Sequence, residues 1–120
     1  MTTQQVADRY AQLSKENNFA GMYDELFSAD AKNIEPEHAA AYGMHSVDGI
    51  DAIKKKGEVF NSQVVEMHGG YCSDPVVAGE YFTVAMGMDV TMKEAGRSKM
   101  DEIVVYHVKD GKIASEEFFY

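Results

Sequence analysis

The spacing of apolar positions changes near the middle of the chain. Val6, Tyr10 and Leu13 recur at i, i+4 and i+7, which is one face of a helix. Thr2 and Gln5 precede them in a capping-box relation, where a hydroxyl and an amide satisfy free amides of a first turn. Asn17-Asn18 break the pattern, and a short second helix carries Phe19, Met22, Tyr23, Leu26 and Phe27. Residues 31–36 read as a brief extended segment ended by Pro36, which has no amide to donate. Residues 37–46 read as a loop. Asp48 is placed to cap a third helix whose apolar face is Ile50, Ile53, Gly57, Phe60 and Val64. Gly57 costs that helix about 1 kcal/mol of propensity, so close packing against it is expected.

The second half alternates instead. After a strand over 63–71, Phe82, Val84, Met86, Met88, Val90 and Met92 fall on one face of a long strand. Tyr81, Thr83, Ala85, Gly87, Asp89 and Thr91 fall on the other. Residues 94–97 are a turn and 100–108 a strand. Asp110-Gly111 is a strong hairpin signal, and 112–120 returns. Helices first and a meander afterwards predict an α+β domain, with helices on one face of a curved, mostly antiparallel sheet. At 120 residues a single domain over 1–120 is expected, large enough for one core and one pocket. A strongly curved sheet with helices across its mouth leaves a cone-shaped hollow, the kind of concave apolar site where ligands bind.

Composition narrows the function. Twenty acidic against eleven basic residues give a net charge of −9, which argues against nucleic acid and anionic membrane surfaces as partners. No apolar run approaches a membrane span and no secretory signal is visible. The single cysteine, Cys72, cannot form an internal disulfide, and a reducing cytoplasm is the expected location. His38, His45 and His68 lack metal-ligand spacing, so no metal is expected. No cofactor is expected either. Lys54-Lys55-Lys56 reads as a solvated helix face.

Several segments resemble the ketosteroid isomerases. Residues 26–36, Leu-Phe-Ser-Ala-Asp-Ala-Lys-Asn-Ile-Glu-Pro, are similar to theirs in a leucine-phenylalanine helix end, an aspartate-alanine pair and an acid directly before proline. Arg9-Tyr10 resembles their arginine-tyrosine pair. Val47 to Ile53 resembles a helix start of the wider superfamily, and Asp110-Gly111-Lys112-Ile113 its final hairpin. Over essentially its whole length the chain resembles the SnoaL-like branch of the nuclear transport factor 2-like superfamily. The resemblance implies a cone-shaped α+β barrel, usually dimeric, in a group that includes isomerases, cyclases, dehydratases and non-catalytic binders.

On that resemblance Glu35 takes the place of the isomerases' general base, which is an aspartate there. Tyr10 and Glu102 are the implied oxyanion donors. The residues also admit plainer readings. Tyr10 continues a core stripe, and Glu35 fits a solvent-facing strand end. Glu102 is an acid on the apolar Met100–Val104–Tyr106 face and points inward; it could pair with Arg9 or Arg97, and Asp101 is an alternative for its role. Asp89 and Glu116 line the pocket or sit on the outer face. His38, Met86, Met88, Phe60 and Phe118 complete the expected lining. The expected partners are an apolar small-molecule ligand and a second copy, because Phe118-Phe119-Tyr120 would be a sticky patch if left uncovered. The expected activity is cofactor-independent isomerase, cyclase or dehydratase chemistry; the alternative is a non-catalytic binding or dimerising module.

Overall fold

A computed structural model describes residues 1–120. Helix α1 spans Thr3–Lys15. Thr2 Oγ1 accepts from the Gln5 amide at 3.1 Å, and Gln5 Oε1 accepts from the Thr2 amide at 2.9 Å. Such a cap is worth about 1 kcal/mol. Val6, Ala7, Tyr10 and Leu13 form the buried stripe. Asn17 turns the chain with φ 55°, and Asn18 caps α2 (Phe19–Leu26) by accepting from the Gly21 amide. A Cβ on Gly21 would lie 2.6 Å from that Asn18 side chain, so a larger residue there would make the cap side chain shift.

Strand β1 covers Phe27–Ile34, starting earlier than the residues 31–36 expected from sequence. It starts there because Phe27 already pairs with Ile113 of β7 (Lys112–Phe119) in a parallel ladder. A short 3-10 turn, Glu37–Tyr42, occupies the expected loop and ends at Gly43, whose φ is 77°. Asp48 does not cap α3 (Ile50–Ser62). It lies in the two-residue strand β2 (Val47–Asp48) opposite Lys32, and Gly49, at φ 90°, makes the entry to the helix. Gly49 holds the cap position itself, so Asp48 lies one residue too early and the helix start has no side-chain cap. Close packing was expected at Gly57, but the nearest atom to where a Cβ would stand is the Tyr23 hydroxyl at 3.8 Å, an ordinary contact that alanine would also make.

β3 (Val64–Cys72), β4 (Val76–Ala78), β5 (Tyr81–Met92), β6 (Gly96–Lys109) and β7 complete a sheet of order β2-β1-β7-β6-β5-β3, with β4 also on β5. All pairs are antiparallel except β1 with β7. The sheet does not close into a barrel, since β2 and β3 remain edges. The helices lie on one face. Against them Phe82, Val84, Val104, Tyr106, Val108 and Ile113 form the core with the stripes of α1 and α2. Partners across the sheet share a face. Phe82–Tyr106–Glu116 and Val84–Val104–Phe118 are therefore inner rows, and Met86 pairs with Glu102 one step further along. Burial dips midway along the same face: Phe82, Val84 and Val90 are fully buried, whereas Met86 and Met88 between them are only half-buried.

Candidate functional site

Beyond the apolar core, the inner face becomes charged. Period-two alternation in β1 brings Ala31 and Asn33 inward, and Glu35 follows in the same sense. The Glu35 side chain is only 5% exposed. Its amide donates to Ser46 Oγ at 2.8 Å, which ties the segment before Pro36 to the loop leading into β2. The Glu35 carboxylate accepts from Lys56 Nζ at 2.8 Å on one oxygen and from the Tyr120 hydroxyl at 2.5 Å on the other. Lys56 also donates to Asn33 Oδ1 at 2.6 Å and to the His45 carbonyl at 2.8 Å, and its Nζ lies 6.0 Å from the Phe118 ring centroid. Asn33 then donates from Nδ2 to Glu116 Oε1 at 2.8 Å. The His38 ring meets the Tyr120 ring edge-on, with centroids 5.6 Å apart.

Two carboxyls here are held far from their ordinary range. Burial pushes Glu116 up to about 7, helped by the charges of Glu35 and Glu102 and opposed by Asn33 and Lys56. Burial likewise pushes Glu102 up to about 7; the Glu35 charge adds to this and Lys56 opposes it. Desolvation disfavours the ionised form, and a like charge nearby disfavours it further. Glu102 makes no hydrogen bond or ion pair within the chain, so near neutral pH it can both give and take a proton. The Tyr120 phenol is also raised, by burial and by its bond to Glu35.

Of the implied trio, Glu35 and Glu102 come together and Tyr10 does not. The Tyr10 hydroxyl is bonded to the Tyr106 hydroxyl at 2.6 Å, and its ring packs edge-on against Phe82 at 5.4 Å. It is 1% exposed and belongs to the core, where its helix stripe carries it. The phenol facing Glu35 is Tyr120. Alternation along β7 (Glu116, Phe118, Tyr120) carries that signal. Lys56 is the other residue that sequence reasoning passed over, although it stands three residues from Ile53 and four from Phe60 on one helix face.

The expected pocket lining divides. Glu116, Phe118, Met86 and Met88 are on the inner rows, and Met86 and Phe118 pack against the core. Phe60 is half-buried one turn beyond Lys56, and His38 reaches the site through Tyr120. Asp89 is on the opposite face, where Arg97 of the neighbouring strand donates to both its oxygens at 3.1 and 3.0 Å. Strand alternation puts it there, one residue out of phase with Met88. Asp101, the alternative to Glu102, is exposed on that outer face and accepts from the Tyr71 hydroxyl at 2.7 Å. Two open hollows mark the sheet. One, of about 320 Å³, is lined by Tyr71, Met88, Asp89, Lys99 and Asp101 among others. The other, of about 200 Å³, lies on the outer face among Tyr71, Ala85, Asp101, Ile103 and Phe119, where Glu102 passes between Asp101 and Ile103. Neither is lined by Glu35 or Tyr10.

Comparison with known proteins agrees with this architecture. No curated protein sequence matches the chain. A SnoaL-like, polyketide-cyclase-type protein from Mesorhizobium loti is 32% identical over 100% of both chains, with a TM-score of 0.88. An NTF2-like protein of unknown function from Burkholderia pseudomallei is 16% identical, covering 98% of this chain and 89% of its own, at TM-score 0.77. TerC, crystallised with polyporic acid, is also 16% identical, covering 98% and 90% at TM-score 0.74. The model of the SnoaL-like domain matches residues 1–120, and with the open α+β sheet and its inward acids already described, the chain belongs to the SnoaL-like family.

Proposed function

We propose that the protein is a general acid–base enzyme acting, without metal or bound cofactor, on a small apolar carbonyl compound. The observation that carries this reading is Glu102, a half-buried carboxyl with no hydrogen-bond partner on the inner face, beside the sheltered Glu35, where burial pushes it up to about 7. A proton-transfer group works best when its midpoint lies near the working pH. Glu35 takes a proton from the carbon next to the carbonyl. Protonated Glu102 donates a hydrogen bond to the oxygen on which charge develops, and the proton returns to another carbon, or to a leaving hydroxyl in a dehydration. The single O–H of Tyr120 is donated to Glu35 and steadies that base, so the donor part expected of Tyr10 falls to Glu102. Membership of a family that includes polyketide cyclases supports this chemistry.

The test is conversion of 3-cyclohexen-1-one to its conjugated isomer, followed by ultraviolet absorbance. Turnover above buffer is expected, falling about a hundredfold or more in both Glu35→Gln and Glu102→Gln. Variants as active as the parent would overturn the assignment. A second reading, a non-catalytic ligand-binding or dimerising module, draws on Tyr120 already occupying one Glu35 oxygen and on Met86 and Phe118 packed into the core. It predicts ligand-induced melting shifts without turnover. A second copy remains the partner proposed for the outer face, where Tyr71, Ile103 and Phe119 are about half exposed. No helix is long and apolar enough to cross a membrane; the cytoplasm is the proposed location, in keeping with the free thiol of Cys72.

A further inference from the structure

We propose that Lys56 is the positioning residue of this site, holding Glu35 in place, fixing through the Asn33 amide the hydrogen bond that Glu116 receives, and supplying the positive charge that faces Glu102 and Glu116. The inference deepens the acid–base reading and rests on it for its functional meaning, though not for its test.

An ammonium has three N–H donors and no acceptor. Lys56 spends all three on Glu35, Asn33 and the His45 carbonyl, and its side chain is only 18% exposed. No donor is left for a substrate, so Lys56 acts through its neighbours. Its bond to Asn33 Oδ1 dictates which way that amide faces and so turns Nδ2 toward Glu116. One side chain of α3 thus determines the orientation of one carboxylate and the hydrogen bond received by another. The elements packed around it present Asn33 from β1 and Glu35 just after it, Glu102 from β6, Glu116 and Phe118 from β7, then Tyr120. Lys56 is the cation at hydrogen-bond distance from Glu35. Its neighbour Lys54 turns away to Asp24.

The test compares Lys56→Met with Lys56→Arg by carbon-13 titration of the glutamate side-chain carboxyls, with circular dichroism to show that each variant folds. Removing the cation is expected to raise the Glu102 and Glu116 midpoints by about one pH unit or more, and arginine is expected to restore them in large part. Midpoints that stay put in folded Lys56→Met would overturn the inference. The unaltered protein supplies a second measurement that does not depend on the variant folding. An ammonium with every N–H engaged exchanges slowly, so a Lys56 ¹⁵N ammonium correlation is expected at neutral pH, and its absence also overturns the inference. Neither readout uses turnover. An inactive protein with shifted midpoints counts against the enzyme reading alone, and unmoved midpoints count against Lys56 alone.

Discussion

The inner face of the sheet buries polar groups in two places, and it treats them differently. At the core end the Tyr10 and Tyr106 hydroxyls pair with each other amid Phe82, Phe27 and Val104. Two phenols, each donor and acceptor, satisfy one another without charge, and burial keeps both protonated. At the other end Glu35, Glu102 and Glu116 share a single ammonium. Three carboxyls and one cation cannot all be ionised cheaply in a sheltered site, so two of them hold protons up to about pH 7. The first arrangement completes a core. The second stores exchangeable protons, which is what a site needs and a core avoids.

The largest effect expected from separating the two ends is Phe82→Ala. It removes a fully buried ring that packs on both tyrosines, and should cost about 3–5 kcal/mol in urea unfolding while the folded protein keeps its Glu102 midpoint. A Glu102 midpoint that collapsed along with stability would show that the two regions are one unit.

Next comes Glu116→Gln. A carboxyl raised from 4.5 to about 7 binds its proton more tightly in the folded state than in the unfolded one. Its contribution to stability is full below pH 4.5 and is lost as the pH rises through about 7. Glutamine stays neutral throughout, so the variant should gain on the parent by an amount on the order of 2–3 kcal/mol by pH 8 and show a flatter stability profile between those limits. Thermal melts at pH 5 and pH 8 measure it. A parent that grows more stable over this range by the same amount as the variant would contradict the assignment.

Tyr10→Phe sharpens the comparison from the other side. It leaves the Tyr106 hydroxyl buried without its partner and should cost about 1–2 kcal/mol. Because Tyr10 sits at the core end, turnover of the test ketone should stay within about twofold, an effect of less than half a kcal/mol on the barrier. The smallest effect is expected at Arg97→Ala on the outer face. The pair with Asp89 is exposed to solvent, so the loss should stay below about 1 kcal/mol and shrink further in high salt.

Much of the architecture was legible because it depends on local patterns. The α1 stripe, the capping box at Thr2, the alternation of β5 and the Asp110-Gly111 hairpin each follow from spacing alone. The early start of β1 was not legible, because it comes from parallel pairing with β7, whose partners lie more than 80 residues away in sequence. Asp48 pairs opposite Lys32, and Gly49 after it holds the cap position that Asp48 was expected to take. The sheltered position of Glu35 came from the resemblance of its acid-proline pair to the isomerases' base; read locally, the same residue fitted a solvent-facing strand end. Lys56 was obscured by its neighbours in a run of three lysines. Successive helix residues point about 100° apart, so three in a row cannot share one environment. Lys54 pairs with Asp24 at the surface while Lys56 turns in. Tyr10 went the other way: its place in the Val6–Leu13 stripe already put it in the core.

The most direct measurement is the carbon-13 titration of the Glu102 side-chain carboxyl in the unaltered protein. A midpoint near 7 is predicted, because burial and the neighbouring Glu35 charge outweigh the pull of Lys56. A midpoint at the ordinary 4.5 would mean that Glu102 is ionised and solvated at neutral pH, and that this end of the sheet holds no proton to transfer.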